Sequence, residues 1–150
     1  MESYNSEHRI TLPNKLMLEQ IMAHTGQGKC VRIPVAGNSM KPFLQPGDQV
    51  LLKPVEKGDL RLGMILLVDM RGAMILHRLV KFDQECIWLA GDANMVQHEE
   101  LQHGCVLGQA VRLFRGDKVV KLDQLWRYKQ GQLWYRLRPL RRVIKKIWSI

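Results

Sequence analysis

Apolar positions divide the chain into three textures. Leu16, Met17, Ile21 and Met22 recur at helical spacing behind Asn14, a residue type that caps helices, and the run stops at the glycines of HTGQGK. This predicts a short amphipathic helix over Lys15–His24. From Cys30 onward the period changes. CVRIPVAG alternates, DQVLLKPV is a short β-rich run and GMILLVDM is wholly apolar; MILHRLVKF, CIWLAGD and VLGQAVRLF follow. QPGD, EKGD, MRGA and RGDK punctuate these runs as turns. MRGA between two apolar runs predicts a hairpin that sets GMILLV antiparallel to MILHRLV. The expected fold class is therefore mainly β, with antiparallel strands over residues 30–122 and a helical segment over residues 1–29.

Beyond residue 122 the pattern turns helical again. After Pro139, Leu140, Val143, Ile144, Ile147 and Ile150 fall close to an i, i+3, i+4, i+7 stripe, while Arg141, Arg142, Lys145 and Lys146 take the other face. Residues 123–150 are thus expected to form a basic amphipathic C-terminal tail. The charge changes the picture most here. The chain carries 23 basic and 14 acidic residues, a net +9, but eight of the basic residues and none of the acidic ones lie from Arg127 onward. That leaves 15 basic against 14 acidic residues in the first 126 positions, so the body is nearly neutral. A helix of this kind fits an anionic membrane surface, with Arg136, Arg138, Arg141, Arg142, Lys145 and Lys146 on the headgroups and Trp134, Tyr135 and Trp148 at the interface. It also fits packing on its own domain with a solvated basic face. Nucleic acid is disfavoured as a partner, because a base-reading module spreads its cations over a domain face.

A length of 150 residues with 46% apolar content supports one domain with a real core. Cys30, Cys86 and Cys105 are too few and too scattered for a disulfide framework or a metal knuckle, and Cys86 and Cys105 read as buried reduced thiols. MESYNSEHRITLPNK lacks the pattern of a secretory signal, and no stretch approaches the ~18 apolar residues that span a bilayer. The expected location is the cytoplasm, with a peripheral station on the inner membrane face. His98 and His103 with Glu99 and Glu100 make a loose cluster whose spacing fits no metal motif, and neither a metal nor an organic cofactor is expected.

The candidate chemistry lies in GNSMKPFLQPGD (37–48) and AMILHRLVKF (73–82). Serine needs a base within hydrogen-bond reach and backbone N–H groups aimed at a developing oxyanion. Gly37 permits the backbone geometry of such a loop, Met40 can anchor it in the core, and Pro42 and Gly47-Asp48 close it with turns. His77, at the end of an apolar strand, is already largely neutral near pH 7 by its ordinary titration, so it is an easier base than a lysine.

The ordered boxes GNSMKPFLQPGD, ILHRLV and WLAGDAN resemble those of the type I signal peptidases and their SOS-repressor-like autopeptidase relatives. On that resemblance Ser39 is the nucleophile and His77 the general base, as in the Ser-His branch of the clan. Arg78 is the arginine that follows the base, and Asp92 and Asn94 belong to the G-D-x-N turn. The Ser39 backbone N–H, with the Asn38 amide as a candidate helper, would meet the oxyanion, and Asp92 would orient His77 or Arg78. The short N-terminal helix and the LRPLRR motif (137–142) narrow the likeness to soluble bacterial proteins of this clan.

Three departures bear on activity. Gln97 and His98 of MVQHEE stand where the Ser-His branch carries paired aspartates, which leaves Glu99 or Glu100 as the third acidic group. Met64 replaces a common aspartate, and no self-cleavage bond precedes the serine box. The resemblance implies a serine endopeptidase acting on an extended peptide or protein substrate. Two other readings stand beside it: a peptidase-like module that binds peptides without cutting them, and a lipid- or nucleic-acid-binding protein acting through its basic tail.

Overall fold

A computed structural model describes residues 12 to 149, with the side chains of 12 to 14 outside the description. Residues 1–11 of the predicted N-terminal segment, and Ile150 of the predicted C-terminal stripe, lie outside the described residues. Helix α1 (Leu12–Gly26) is longer at both ends than the predicted segment, so Asn14 lies within the first turn instead of capping it. It ends where Gly28 turns to φ 75°, with Lys29 N–H on the His24 carbonyl.

Eight strands follow: β1 (Val31–Pro34), β2 (Gln49–Lys53), β3 (Ile65–Met70), β4 (Ala73–Phe82), β5 (Cys86–Ala90), β6 (Glu99–Gln102), β7 (Val106–Arg115) and β8 (Lys118–Lys121). They form one antiparallel sheet in the order β1-β2-β7-β3-β4-β5-β6, with β8 added on β7. The predicted hairpin is present: Met70 pairs with Ala73 across Arg71-Gly72, both at positive φ (54° and 87°). That is the geometry that matches the twist of a two-residue hairpin.

The wholly apolar run of β3 has a simple cause. Side chains alternate across a strand. Ile65 and Leu67 join Ile21, Ile33, Met40, Leu44, Val50, Leu52 and Leu113 in one core, while Leu66 and Val68 join Leu60, Met64, Leu79, Ile87, Leu89 and Tyr128 in a second. A strand buried on both faces reads as continuous hydrophobicity.

Two helices close the fold, α2 (Leu125–Arg136) and α3 (Arg138–Trp148), separated by Leu137, two residues before Pro139. The proline ring cannot continue the hydrogen-bond ladder, so one helix becomes two. Helix α2 packs on the sheet: Tyr128 is buried in the second core and its hydroxyl accepts from Gln109 Nε2 at 2.6 Å. Gly63 (φ 96°) and Gly131 admit this packing, since a Cβ at the first would overlap Tyr128 backbone and at the second the Arg78 guanidinium. Cys86 and Cys105 are free and half-buried, less enclosed than their apolar surroundings predict.

Candidate active site

Ser39 lies in a tight turn after β1, entered through Gly37 at φ 76°. Phe43 and Leu44 N–H both bond the Met40 carbonyl (3.0 and 2.9 Å), and Met40 and Leu44 are buried in the first core. The loop is thus pegged just beyond Ser39, which stays half-buried at the surface. Farther along, the Asp48 carboxylate closes QPGD by accepting Gln45 N–H at 2.9 Å and holds Arg115 through two bonds of 2.8 and 2.7 Å. Burial alone would raise the Asp48 pKa, but the Arg115 and Gln45 hydrogen bonds and the Arg115 charge outweigh it and bring it below the ordinary value.

His77, in register with Leu66 on β4, is buried. Its Nε2 is 3.1 Å from Ser39 Oγ and its Nδ1 is 2.9 Å from Glu99 Oε2. A carboxylate only accepts, so Nδ1 carries the proton toward Glu99 and the Nε2 lone pair faces the Ser39 hydroxyl. Glu99 is half-buried on β6; Glu100, one residue on, is exposed on the opposite side beside Cys86. Burial, followed by the Glu100 charge, pushes the Cys86 thiol upward.

The G-D-A-N turn docks against Ser39. Ala93 N–H donates to the Ser39 carbonyl at 2.9 Å and Asn94 N–H to the Gly91 carbonyl at 2.9 Å. A Cβ on Gly91 would lie 2.6 Å from the Ser39 carbonyl oxygen and 3.1 Å from both His77 Nε2 and Asn94 Nδ2. The meeting of serine and histidine therefore depends on a glycine there.

Asp92 is buried and pairs with Arg78, not with His77: Arg78 Nε and Nη2 donate to its two carboxylate oxygens, each at 2.7 Å. Arg78 Nη1 also donates to the Gly63 carbonyl at 2.8 Å. Burial pushes the Asp92 carboxyl above its ordinary value, and the Arg78 hydrogen bonds and charge oppose that shift. The Asp92 backbone carbonyl accepts Trp134 Nε1 (2.7 Å) and Arg141 Nη1 (3.0 Å), while Arg138 Nη2 donates to the Val96 carbonyl at 2.8 Å.

Ser39, His77, Arg78, Asp92, Asn94 and Glu99 thus come together. Asn38 is exposed in the same turn, with its carbonyl accepting Lys41 N–H. Glu100 stands apart, as do the exposed Arg136, Arg142, Lys145 and Lys146, whereas Arg138 and Arg141 turn onto the loop beside the site. Gly91, Arg115 as the partner of Asp48, and Trp134 are site residues that sequence reasoning misses. The first two carry a signal in the glycine of GDAN and the aspartate of QPGD; Trp134 has none, because its partner is a main-chain carbonyl 42 residues away. Among the described residues no group of three or more His, Cys, Asp or Glu side chains is arranged to hold a metal, and His103 points its Nε2 at the Asp83 carbonyl (2.7 Å). Neither Ser39 nor His77 lines either of two surface cavities of about 490 and 240 Å³; the first is walled by Arg61, Leu62, Lys81, Phe82 and Tyr128 among others.

The family model described as Peptidase S24-like matches residues 1–111. No curated protein matches the chain.

Proposed function

Because the chain belongs to the Peptidase S24-like family, we propose that it is a serine endopeptidase in which Ser39 is the nucleophile, His77 the general base and Glu99 the acid that orients His77. The observation that carries this reading is the continuous contact Ser39 Oγ–His77 Nε2–His77 Nδ1–Glu99 Oε2, at 3.1 and 2.9 Å. Ser39 Oγ attacks the peptide carbonyl carbon as its proton passes to His77 Nε2. The tetrahedral adduct collapses, the C–N bond breaks, and His77 returns the proton to the leaving amine. Water, deprotonated by the same nitrogen, then releases the acyl group from Ser39.

The Ser39 backbone N–H has no partner among the described residues and is the candidate oxyanion donor. Asp92 and Arg78 are positioning residues that hold the turn against Ser39. Ser39 follows β1 and Glu99 lies on β6, the two end strands of the sheet, and an exposed strand edge suits an extended peptide chain laid along it. The three free thiols, one of them exposed, fit a reducing compartment such as the cytoplasm. The peptide-binding alternative rests on Gln97 and His98 in place of acidic residues; the Glu99 carboxylate on His77 Nδ1 supports the catalytic reading over it.

The test is intact-protein mass spectrometry after exposure to a serine-directed acylating reagent. Wild type should gain one adduct, Ser39→Ala none, and Glu99→Gln should react on the order of 100-fold more slowly. An equal adduct on Ser39→Ala, or none on wild type, overturns the proposal.

A further inference from the structure

Helix α3 has no buried residue. Leu140, Val143, Ile144 and Ile147 are 54, 55, 45 and 63% exposed, and Trp148 is 84% exposed. Scattered exposed apolar side chains are ordinary, but four at i, i+3, i+4 and i+7 form one continuous stripe. The helix is attached to the rest of the fold by its other side: Arg138 donates to the Val96 carbonyl and Arg141 to that of Asp92. Arg141 also stacks on Trp134 at 4.1 Å, and Arg138 on Tyr135 at 4.5 Å. These two arginines are used within the chain. The apolar stripe is left facing outward, with Arg142, Lys145 and Lys146 exposed on the helix's opposite, basic face.

From these features we infer that α3 is an in-plane anchor for an anionic phospholipid surface. The stripe needs an apolar partner, and the exposed cations need an anionic one. No acidic residue follows Asp123 in the chain, so the helix carries no internal offset to its positive charge. A bilayer interface with anionic headgroups supplies both chemistries at once: acyl chains take the stripe, headgroups take the long basic side chains, and Trp148 sits at the boundary. A second copy of the chain could cover the stripe, but its helix brings further positive charge and leaves the cations of both without an anionic partner. Nucleic acid would engage the cations and leave the stripe wet. With 11 residues, α3 is about 16 Å long, too short to cross a hydrocarbon core and right for lying along its surface.

The attachment gives the anchor a second consequence. Arg141 and Trp134 hold the Asp92 carbonyl, and Ala93, next in the chain, holds Ser39. The Ser39 loop is therefore fixed relative to the membrane-facing stripe without a flexible linker between them. The lipid inference does not depend on the chemistry assigned to Ser39.

The experiment is co-flotation of the full chain with vesicles of phosphatidylglycerol and phosphatidylcholine, against vesicles of phosphatidylcholine alone, at low and high salt. Wild type should float with the anionic vesicles and release as salt rises. Ile144→Asp/Ile147→Asp should partition at least tenfold less, and Lys145→Glu/Lys146→Glu should lose the preference for anionic lipid. Both variants change exposed positions, so an unchanged melting temperature checks that they fold. Three outcomes overturn the inference: no flotation of wild type on anionic vesicles; a wild-type dimer that Ile144→Asp/Ile147→Asp converts to monomer while flotation is unaltered; or binding to RNA, with no vesicle binding, that survives the apolar-face substitutions.

Discussion

Glu99 and Glu100 are adjacent on β6, and adjacent positions on a strand face opposite ways. That single step puts one carboxylate on His77 Nδ1 and the other beside Cys86. A pattern of residue types leaves both open; pairing of β6 with β5, Leu89 opposite Glu99, decides it. Ser39 and His77 are legible because each sits inside a motif, whereas Glu99 becomes legible only with strand register. Gly91 yields a second residue-scale prediction. Gly91→Ala puts a methyl group 2.6 Å from the Ser39 carbonyl, so acylation of Ser39 should fall by roughly 100-fold or more, while circular dichroism shows a retained β fold. Asp48 yields a third. Its carboxyl titrates below the ordinary value in the folded chain, so its ionised form stabilises the fold above the unfolded value of about 3.9. That contribution is lost as pH falls through the lower folded value. Asp48→Asn should cost about 1 kcal/mol at pH 7 by weakening the bonds between a buried carboxylate and a partly exposed Arg115, and should flatten the acid limb of the stability curve in urea titrations.

At the scale of elements, strands buried on both faces are legible and thin ones are not. EELQ of β6 is half-buried and polar, and KVVK of β8 is four residues bounded by lysines. Neither has enough hydrophobic contrast to be read as a strand; both exist because a longer neighbour pairs with them. The β3–β4 hairpin is legible from MRGA, but its turn holds Arg71 in the left-handed region, where a side chain costs about 1 kcal/mol. Arg71→Asn should recover up to ~1 kcal/mol, measured as a higher denaturant midpoint at unchanged slope. Gly131 tests the seating of α2. Alanine favours a helix over glycine by ~1 kcal/mol, yet a Cβ there overlaps Arg78, which is pinned by three hydrogen bonds and cannot move aside. Disturbing a buried ion pair outweighs the propensity gain, so Gly131→Ala should destabilise the chain by ~2 kcal/mol on thermal melting.

Across the whole molecule, the two cores meet at β3 and the sheet carries Ser39 and His77 to one place from positions 38 residues apart. The mainly β architecture follows from periodicity and turn spacing. The packing of α2 does not, because its buried residues are a tyrosine and a glycine, which leave almost no apolar stripe to read. Of the two C-terminal helices α3 alone announces itself, and its stripe faces outward.

The Asp92 carbonyl rests on α2 and α3, and the Arg78 guanidinium on α2, all beyond the segment that the family model spans. A hybrid protein that joined residues 1–111 to a tail of other origin would keep every residue assigned to the chemistry and lose the parts that hold them still. Gly131, Trp134 and Arg141 would have to travel with the serine for the hybrid to work. The Ser39 turn and the two helices that brace it therefore form one structural unit.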